Sequence, residues 1–273
     1  MPDAIKLSSR ASARKNHWTS EQLKLAFALY CRTPFGKLDS RNPQIVELAK
    51  LIGRTSDALA MKLVNFASLD PSITNTGRKG LGNASALDRK VWEEFHDDWG
   101  RLALECEQLR QKYLHNRGSK AEIPLAIEDD FALTDYTGET RKAIVQQRIK
   151  QDFFRRAVLA SYGGRCCVSG VSDPRFLVAS HIVPWRDDKA NRLNPGNGLC
   201  LSAIHDKAFD KYLFSLTDDG RIVLSDQLKA SKDEFLQKVF WPIEDQSIKL
   251  PDRFRPEPAL LRNHRETMLR NQP

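Results

Sequence analysis

SHIVPWRDDKANRLNPGNGLCLSAIHDKAFD, residues 180–210, packs three kinds of local signal into one short span. Ile182 and Val183 beside His181 suit a strand, because apolar side chains on consecutive positions need cover on both faces. Pro195, Gly196 and Gly198 in NPGNGLCL (194–201) force a turn. In SAIHDKAFD (202–210), Ala203, Ile204, Ala208 and Phe209 recur at helical spacing. A ββα unit is therefore expected, with His181, Asn197 and His205 as its polar residues. Asn197 follows His181 by 16 residues and His205 follows it by 24, which leaves room for a strand, a loop, a second strand and the start of a helix.

Working outward, TRKAIVQQRIKQDFFRRAVLASYG (140–163) reads as a single helix leading into this unit, with Arg148, Arg155 and Arg156 either beside a polyanion or paired with acids. LFSLTDDGRIVLS (213–225) reads as a hairpin about Asp219-Gly220, and a closing helix runs through NHRETML (263–269). Four blocks in this order, QDFFRRAVLASYGGRCCVSG (151–170), LVASHIVPW (177–185), NRLNPGNGLCLSAIHDKAFDKYLFSL (191–216) and, more loosely, PEPALLRNHRETML (256–269), make the C-terminal half resemble the HNH endonuclease superfamily and its restriction endonuclease subgroup. The N-terminal half carries no comparable signature.

The resemblance implies a metal-dependent endonuclease cutting DNA phosphodiesters to 5′-phosphate and 3′-hydroxyl ends, in restriction of foreign DNA. It implies that His181 is the general base, that Asn197 holds the loop and orients that base, and that His205 ligates the metal. The chemistry suits the residue types. An imidazole with an ordinary pKa near 6.5 offers a neutral base at pH 7, and a hard divalent cation compensates charge on the phosphoryl oxygens. One departure stands out: many family members carry an acid or a second histidine just before the base, and here that residue is Ser180. A further metal contact then comes through water or from Asp206 or Asp210, although Asp210 equally suits a structural role. The expected ion is Mg²⁺ or Mn²⁺, with Ni²⁺ or Zn²⁺ as alternatives that tolerate imidazole.

Upstream, the pattern is helical. Thr19 or Ser20 caps a helix through LKLAFALYC, PQIVELAKLIG ends a second at Gly53, and a third begins at Thr55 or Ser56 and runs to Asp70-Pro71. The last two have a helix-turn-helix layout, which makes Arg54, Ser56, Asp57 and Lys62 candidate DNA contacts; a three-helix bundle for protein contacts is the alternative. Arg78 and Lys79 in the loop TNTGRKGLGN (74–83) are candidates for phosphate contact. A long helix is expected over 84–116.

The charge is unevenly placed. The chain of 273 residues has a net charge of +8, with +7 on residues 1–83, −5 on 118–140 and +7 on 141–216. Two basic modules about an acidic connector suit a polyanionic partner, here double-stranded DNA. One HNH centre cuts one strand, so a homodimer is plausible for a double-strand break. No apolar run approaches the roughly 20 residues that span a bilayer, and MPDAIKLSSRASARK lacks the apolar core of a secretory signal, so the expected location is cytoplasmic. Five scattered cysteines, Cys31, Cys106, Cys166, Cys167 and Cys200, argue against a disulfide framework, and Cys166-Cys167 with Cys200 does not supply the two spaced pairs of a structural zinc site.

The expected fold is α+β: an N-terminal helical, helix-turn-helix-like domain (1–83), a long helix and acidic connector (84–140), and a C-terminal ββα-metal HNH domain (141–273). Two other functions fit the same sequence, a DNA-binding regulator whose nuclease fold has lost activity and an effector nuclease triggered by a partner or signal.

Overall fold

The computed structural model describes residues 17–75, 77, 82–96, 98–118 and 138–271. Arg78, Lys79 and most of the acidic connector lie outside them. Helix α1 (Ser20–Cys31) opens with a reciprocal cap, in which the Thr19 hydroxyl accepts from the Gln22 N–H and the Gln22 side chain accepts from the Thr19 N–H. Helix α2 (Pro43–Ile52) starts on Asn42 with Pro43 in its first turn and stops at Gly53, whose φ of +71° carries the chain into α3 (Ser56–Ala67). A short α4 (Pro71–Thr74) is capped by Asp70.

The long helix expected over 84–116 is two helices, α5 (Ala86–Phe95) and α6 (Trp99–His115). The Asp98 carboxylate accepts from the Arg101 N–H and starts α6 afresh. The break brings Trp92 and Trp99 onto one ring, that of Phe27 in α1, at centroid distances of 5.4 and 6.4 Å. Residues Leu23 to Cys31 of α1 are buried almost without exception apart from Lys24, which makes α1 the central helix of this layer.

The α2-turn-α3 layout is present, but α3 does not offer a basic face. Lys62 was expected at a DNA groove; it is instead 8% exposed, its ammonium 2.9 Å from Asp88 and over the Trp18 ring. Arg54 stacks on the other partner of that cluster, 4.7 Å from the Trp18 centroid, and its Nη2 donates to Gln22 Oε1 at 2.8 Å. Trp18, one residue before the α1 cap, draws both cations inward. Ser56 is partly exposed at the start of α3, while Asp57 and Met61 face solvent.

Helix α7 (Gly138–Ser161) belongs to two cores at once. Phe153 and Ala157 pack with the helical layer, and Phe154 and Val158 pack with the C-terminal half. That half contains β1 (Leu177–His181) antiparallel to β2 (Gly198–Ser202), with His181 opposite Gly198, followed at once by α8 (Ala203–Asp210). The hairpin β3 (Phe214–Leu216) and β4 (Ile222–Leu224) turns through Gly220, and α9 (Asp226–Lys229), α10 (Glu234–Phe240) and α11 (Pro258–Arg270) complete the chain. Two strands and a helix thus occur in the expected order. Among the described residues no helix is long and apolar enough to cross a membrane, and all five cysteines are free and buried.

Candidate active site

His181 ends β1, where the strand gives way to a loop that returns at Gly198. The close packing of α7 on β2 decides the residue at that return: a Cβ on Gly198 would sit 2.4 Å from Val158 Cγ2 and 3.0 Å from Phe154 Cζ. With no side chain there, Phe154 reaches past β2 and lies flat on the His181 imidazole, centroids 4.1 Å apart and planes 5° apart. Trp185 closes the ring edge-on at 5.8 Å.

The loop is held by Asn197, which is fully buried. Its side-chain oxygen accepts from the Val183 N–H at 2.8 Å, and its amide donates to the carbonyls of Val183 at 3.0 Å and Asn191 at 3.3 Å. Asn197 therefore ties both ends of the loop, replacing backbone pairs that the chain leaves unmade there. The residue after Asn191 is Arg192, whose carbonyl lies 3.0 Å from His181 Nε2. A carbonyl only accepts, so Nε2 carries the proton and Nδ1 keeps the lone pair of the neutral ring.

Burial lowers the His181 pKa below its ordinary value, opposed by the Arg192 carbonyl and by the negative charge of Asp210. Asp210 and Asp206 stand one turn apart on α8, and both carboxyls are raised, chiefly because burial disfavours their charged forms. The Ser180 hydroxyl acts on Asp206, holding it down, yet falls short of a formed hydrogen bond: Ser180 Oγ is buried with no partner among the described residues. Asp210 thus sets a carboxylate against His181, and Asp206 faces the unmet hydroxyl of Ser180.

His205, expected to ligate a metal, lies on the core side of α8. It is 3% exposed, its Nδ1 lies 2.6 Å from Ser202 Oγ, and its ring meets Phe214 and Phe240 edge-on at 6.4 and 5.5 Å. Burial pushes the Cys166 thiol up, but hydrogen bonds from the His205 ring and from Ser169 outweigh it and bring the thiol to about 6. With Ser202 and Cys166 on its ring, His205 is committed to the core. The reason is helical phase: Ala208 and Phe209 turn inward on the His205 side of α8, whereas Asp206 and Asp210 share the adjoining face. Among the described residues, no group of three or more His, Cys, Asp or Glu is closed up as a metal cluster.

Residues 166–217 match the family model described as HNH endonuclease. That match supports the HNH superfamily for the C-terminal half. It begins at Cys166 and ends just past β3, so the HNH segment contains His181, Asn197, His205, Asp206 and Asp210. No match was found among curated proteins. Phe154, which packs on His181, lies outside the matched segment. Its signal in the sequence is faint: Phe154 and Val158 form an i, i+4 apolar pair within a stretch otherwise rich in charge.

Proposed function

We propose that this chain is an HNH endonuclease that hydrolyses phosphodiester bonds of double-stranded DNA, with His181 as general base and a divalent metal ion as cofactor. The observation that carries the reading is the His181 ring, fixed on one side by the Arg192 carbonyl and Phe154 and facing the acidic edge of α8 through Asp210. Neutral at pH 7 because of its lowered pKa, the ring accepts a proton from water at Nδ1 while Nε2–H stays on the Arg192 carbonyl. Asp210 stabilises the imidazolium that results. Asn197 keeps Arg192 in place and acts as a positioning residue.

The groups on the α8 edge fit a hard cation. Asp206 and Asp210, with Ser180 Oγ within reach, would hold Mg²⁺ or Mn²⁺, and two carboxyls raised by burial gain from a neighbouring positive charge. When bound, the ion supplies charge compensation to the phosphoryl group. Few protein ligands are needed, since Mg²⁺ keeps several waters and takes further oxygens from phosphate. The ends produced would be 5′-phosphate and 3′-hydroxyl. Restriction of foreign DNA in the cytoplasm is the biological role that accords with the sequence resemblance, with two copies acting together on two strands.

A plasmid-nicking assay across Mg²⁺, Mn²⁺, Ni²⁺ and Zn²⁺ tests the proposal. Metal-dependent nicking by the wild-type chain that His181→Ala abolishes supports it. DNA binding with no cleavage under any of the four ions sinks it and leaves a DNA-binding regulator.

A further inference from the structure

A cleft of about 350 Å³ opens between α1, α2, α6 and α7, away from the HNH segment. Its size falls in the range of roughly 300 to 1,000 Å³ common for small-molecule sites and is far too small for a duplex. The floor is apolar, with Leu29, Leu48, Ile149 and Phe153 among its lining. The walls carry four guanidinium groups, of Arg32, Arg110, Arg148 and Arg156, against three carboxylates, of Glu47, Glu107 and Asp152. Arg110 is paired with Glu107 at 3.1 Å and Arg156 with Asp152 at 2.9 Å. The cleft as a whole holds one more cation than anions.

Arg32 shows where that excess is felt. Its Nε donates to the Ala28 carbonyl at 3.0 Å, and its guanidinium stands 5.8 Å from the Phe153 ring. Burial pushes its pKa down from the ordinary arginine range, and the charge of Arg156 beside it adds to that effect. A desolvated cation over an apolar floor attracts an anion with a flat apolar body, because the charge is met and the rings are covered together.

The floor of this cleft is one residue from the ring that covers the candidate base. Phe153 lines the cleft and stacks on Trp99, while Phe154 lies flat on His181. Both belong to α7, so a change in how α7 seats against α6 moves both rings together. A ligand shifts that seating only as far as it binds one seating better than another.

We propose that this cleft binds a small organic anion with a flat apolar body, and that its occupancy tunes His181 through the Phe153-Phe154 step of α7. The consequence for DNA cleavage rests on the nuclease reading above; binding and its effect on the imidazole do not. The probe is 8-anilinonaphthalene-1-sulfonate, with the neutral N-phenyl-1-naphthylamine as its uncharged counterpart, titrated into the full chain by fluorescence. One saturable site per chain is expected, with the neutral compound at least tenfold weaker. Leu48→Trp, at a partly exposed lining position, should fill the cleft and abolish binding, and Arg32→Met with Arg148→Met should weaken it at least tenfold. If the arginine pair fails to fold, Leu48→Trp and the charge preference of the wild-type chain still decide.

The imidazole ¹H–¹⁵N signals of His181 should move as the probe saturates. In Phe154→Leu the probe should still bind while those signals stay in place. Saturating probe should alter wild-type plasmid nicking at least threefold. Binding that does not saturate, does not prefer the anion, or survives Leu48→Trp overturns the site, and His181 signals that ignore the probe overturn the coupling. Saturable binding and a moving His181 signal, with no nicking under any metal, support the cleft and refute the nuclease reading instead.

Discussion

The imidazole of His181 and the ring of Phe154 are parallel to within 5° at 4.1 Å, so one face of the candidate base is closed to water by a helix that also packs on the N-terminal layer. This contact is part of the burial that sets the base's proton affinity. The two stabilising influences on the protonated ring, the Arg192 carbonyl and Asp210, are outweighed by it.

The pH dependence of cleavage follows with a definite sign. With its folded pKa below the ordinary value of about 6.5, His181 is neutral at pH 7, and kcat/KM should fall only as pH drops below about 6.5. Phe154→Ala admits water to the ring and should move this acid limb to higher pH. His181→Ala should cost roughly 10² to 10⁴ in turnover, the usual worth of a general base, with DNA affinity nearly unchanged. A pH–rate profile in which Phe154→Ala leaves the acid limb in place would remove the burial argument.

Asp206, Asp210 and His205 are separable by calorimetry with and without Mn²⁺. Asp206→Asn and Asp210→Asn should lose most of the metal-dependent rise in Tm, since a ligand that binds only the folded state stabilises it by mass action. His205→Ala should behave in the opposite way. It leaves buried groups on Ser202 and Cys166 unmet, at roughly 1 to 3 kcal/mol each, so its Tm drops in the absence of metal while the increment on adding metal persists. An increment lost in His205→Ala and kept in both aspartate variants would return His205 to the metal.

Much of this arrangement was legible in the chain. The strand, turn and helix of 180–210 were readable because Pro195, Gly196 and Gly198 punctuate two apolar patterns of different period. Thr19 or Ser20 and Thr55 or Ser56 marked two helix starts, which fall on Thr19 and Thr55, and Gly53 marked a stop. What the sequence concealed depends on rotation and distant partners. Nothing local distinguishes His205, turned into the core, from Asp206 next to it, because a rotation of about 100° around α8 decides the matter. Lys62 reads as a surface cation until Asp88, 26 residues on, and Trp18 are placed around it. The stop between Phe95 and Trp99 rests on Asp98 acting as a cap inside an otherwise continuous apolar pattern.

His264 supplies a pH-dependent contribution to stability independent of catalysis. Its ring stacks on Phe209 at 3.7 Å, Nε2 donates to the Phe209 carbonyl at 3.2 Å, and Nδ1 lies 2.9 Å from Ser215 Oγ, from whose hydroxyl the neutral ring accepts. Burial lowers it to about 4, with the Phe209 carbonyl opposing. The unfolded chain binds the proton near pH 6.5 and the folded chain only near 4, so stability is intact above about 6.5 and falls as pH drops through that window. The loss approaches about 3 kcal/mol at 1.36 kcal/mol per pKa unit. Urea titrations at pH 7 and pH 4.5 should show it, and His264→Gln should flatten the difference; an unaltered difference in that variant would assign the effect to other groups.

Arg253 ties the end of the chain to its beginning. Its side chain is fully buried; the guanidinium donates to the carbonyls of Tyr30 and Thr33 at the C-terminal end of α1 and lies 4.4 Å from the Tyr30 ring. The neighbouring Phe254 meets Trp99 edge-on at 5.3 Å. A cation at the C-terminus of a helix answers carbonyls that have no partner within the helix. Arg253→Met keeps the length and removes both donors, leaving the Thr33 carbonyl unmet at roughly 1 to 3 kcal/mol while the Tyr30 carbonyl keeps the Thr33 N–H. Arg253→Lys keeps the charge without the fork and should fall between the two. Because residue 253 follows the HNH segment and its targets are on α1, the loss should fall on the coupling between the layers as well as on total stability. Urea unfolding followed separately through the indole N–H resonances of Trp92 and Trp99 and through the His264 resonances should give coincident transitions in the wild-type chain and separated ones in Arg253→Met. Coincident and unshifted transitions in the variant would show that the buried guanidinium contributes nothing to the union of the two cores.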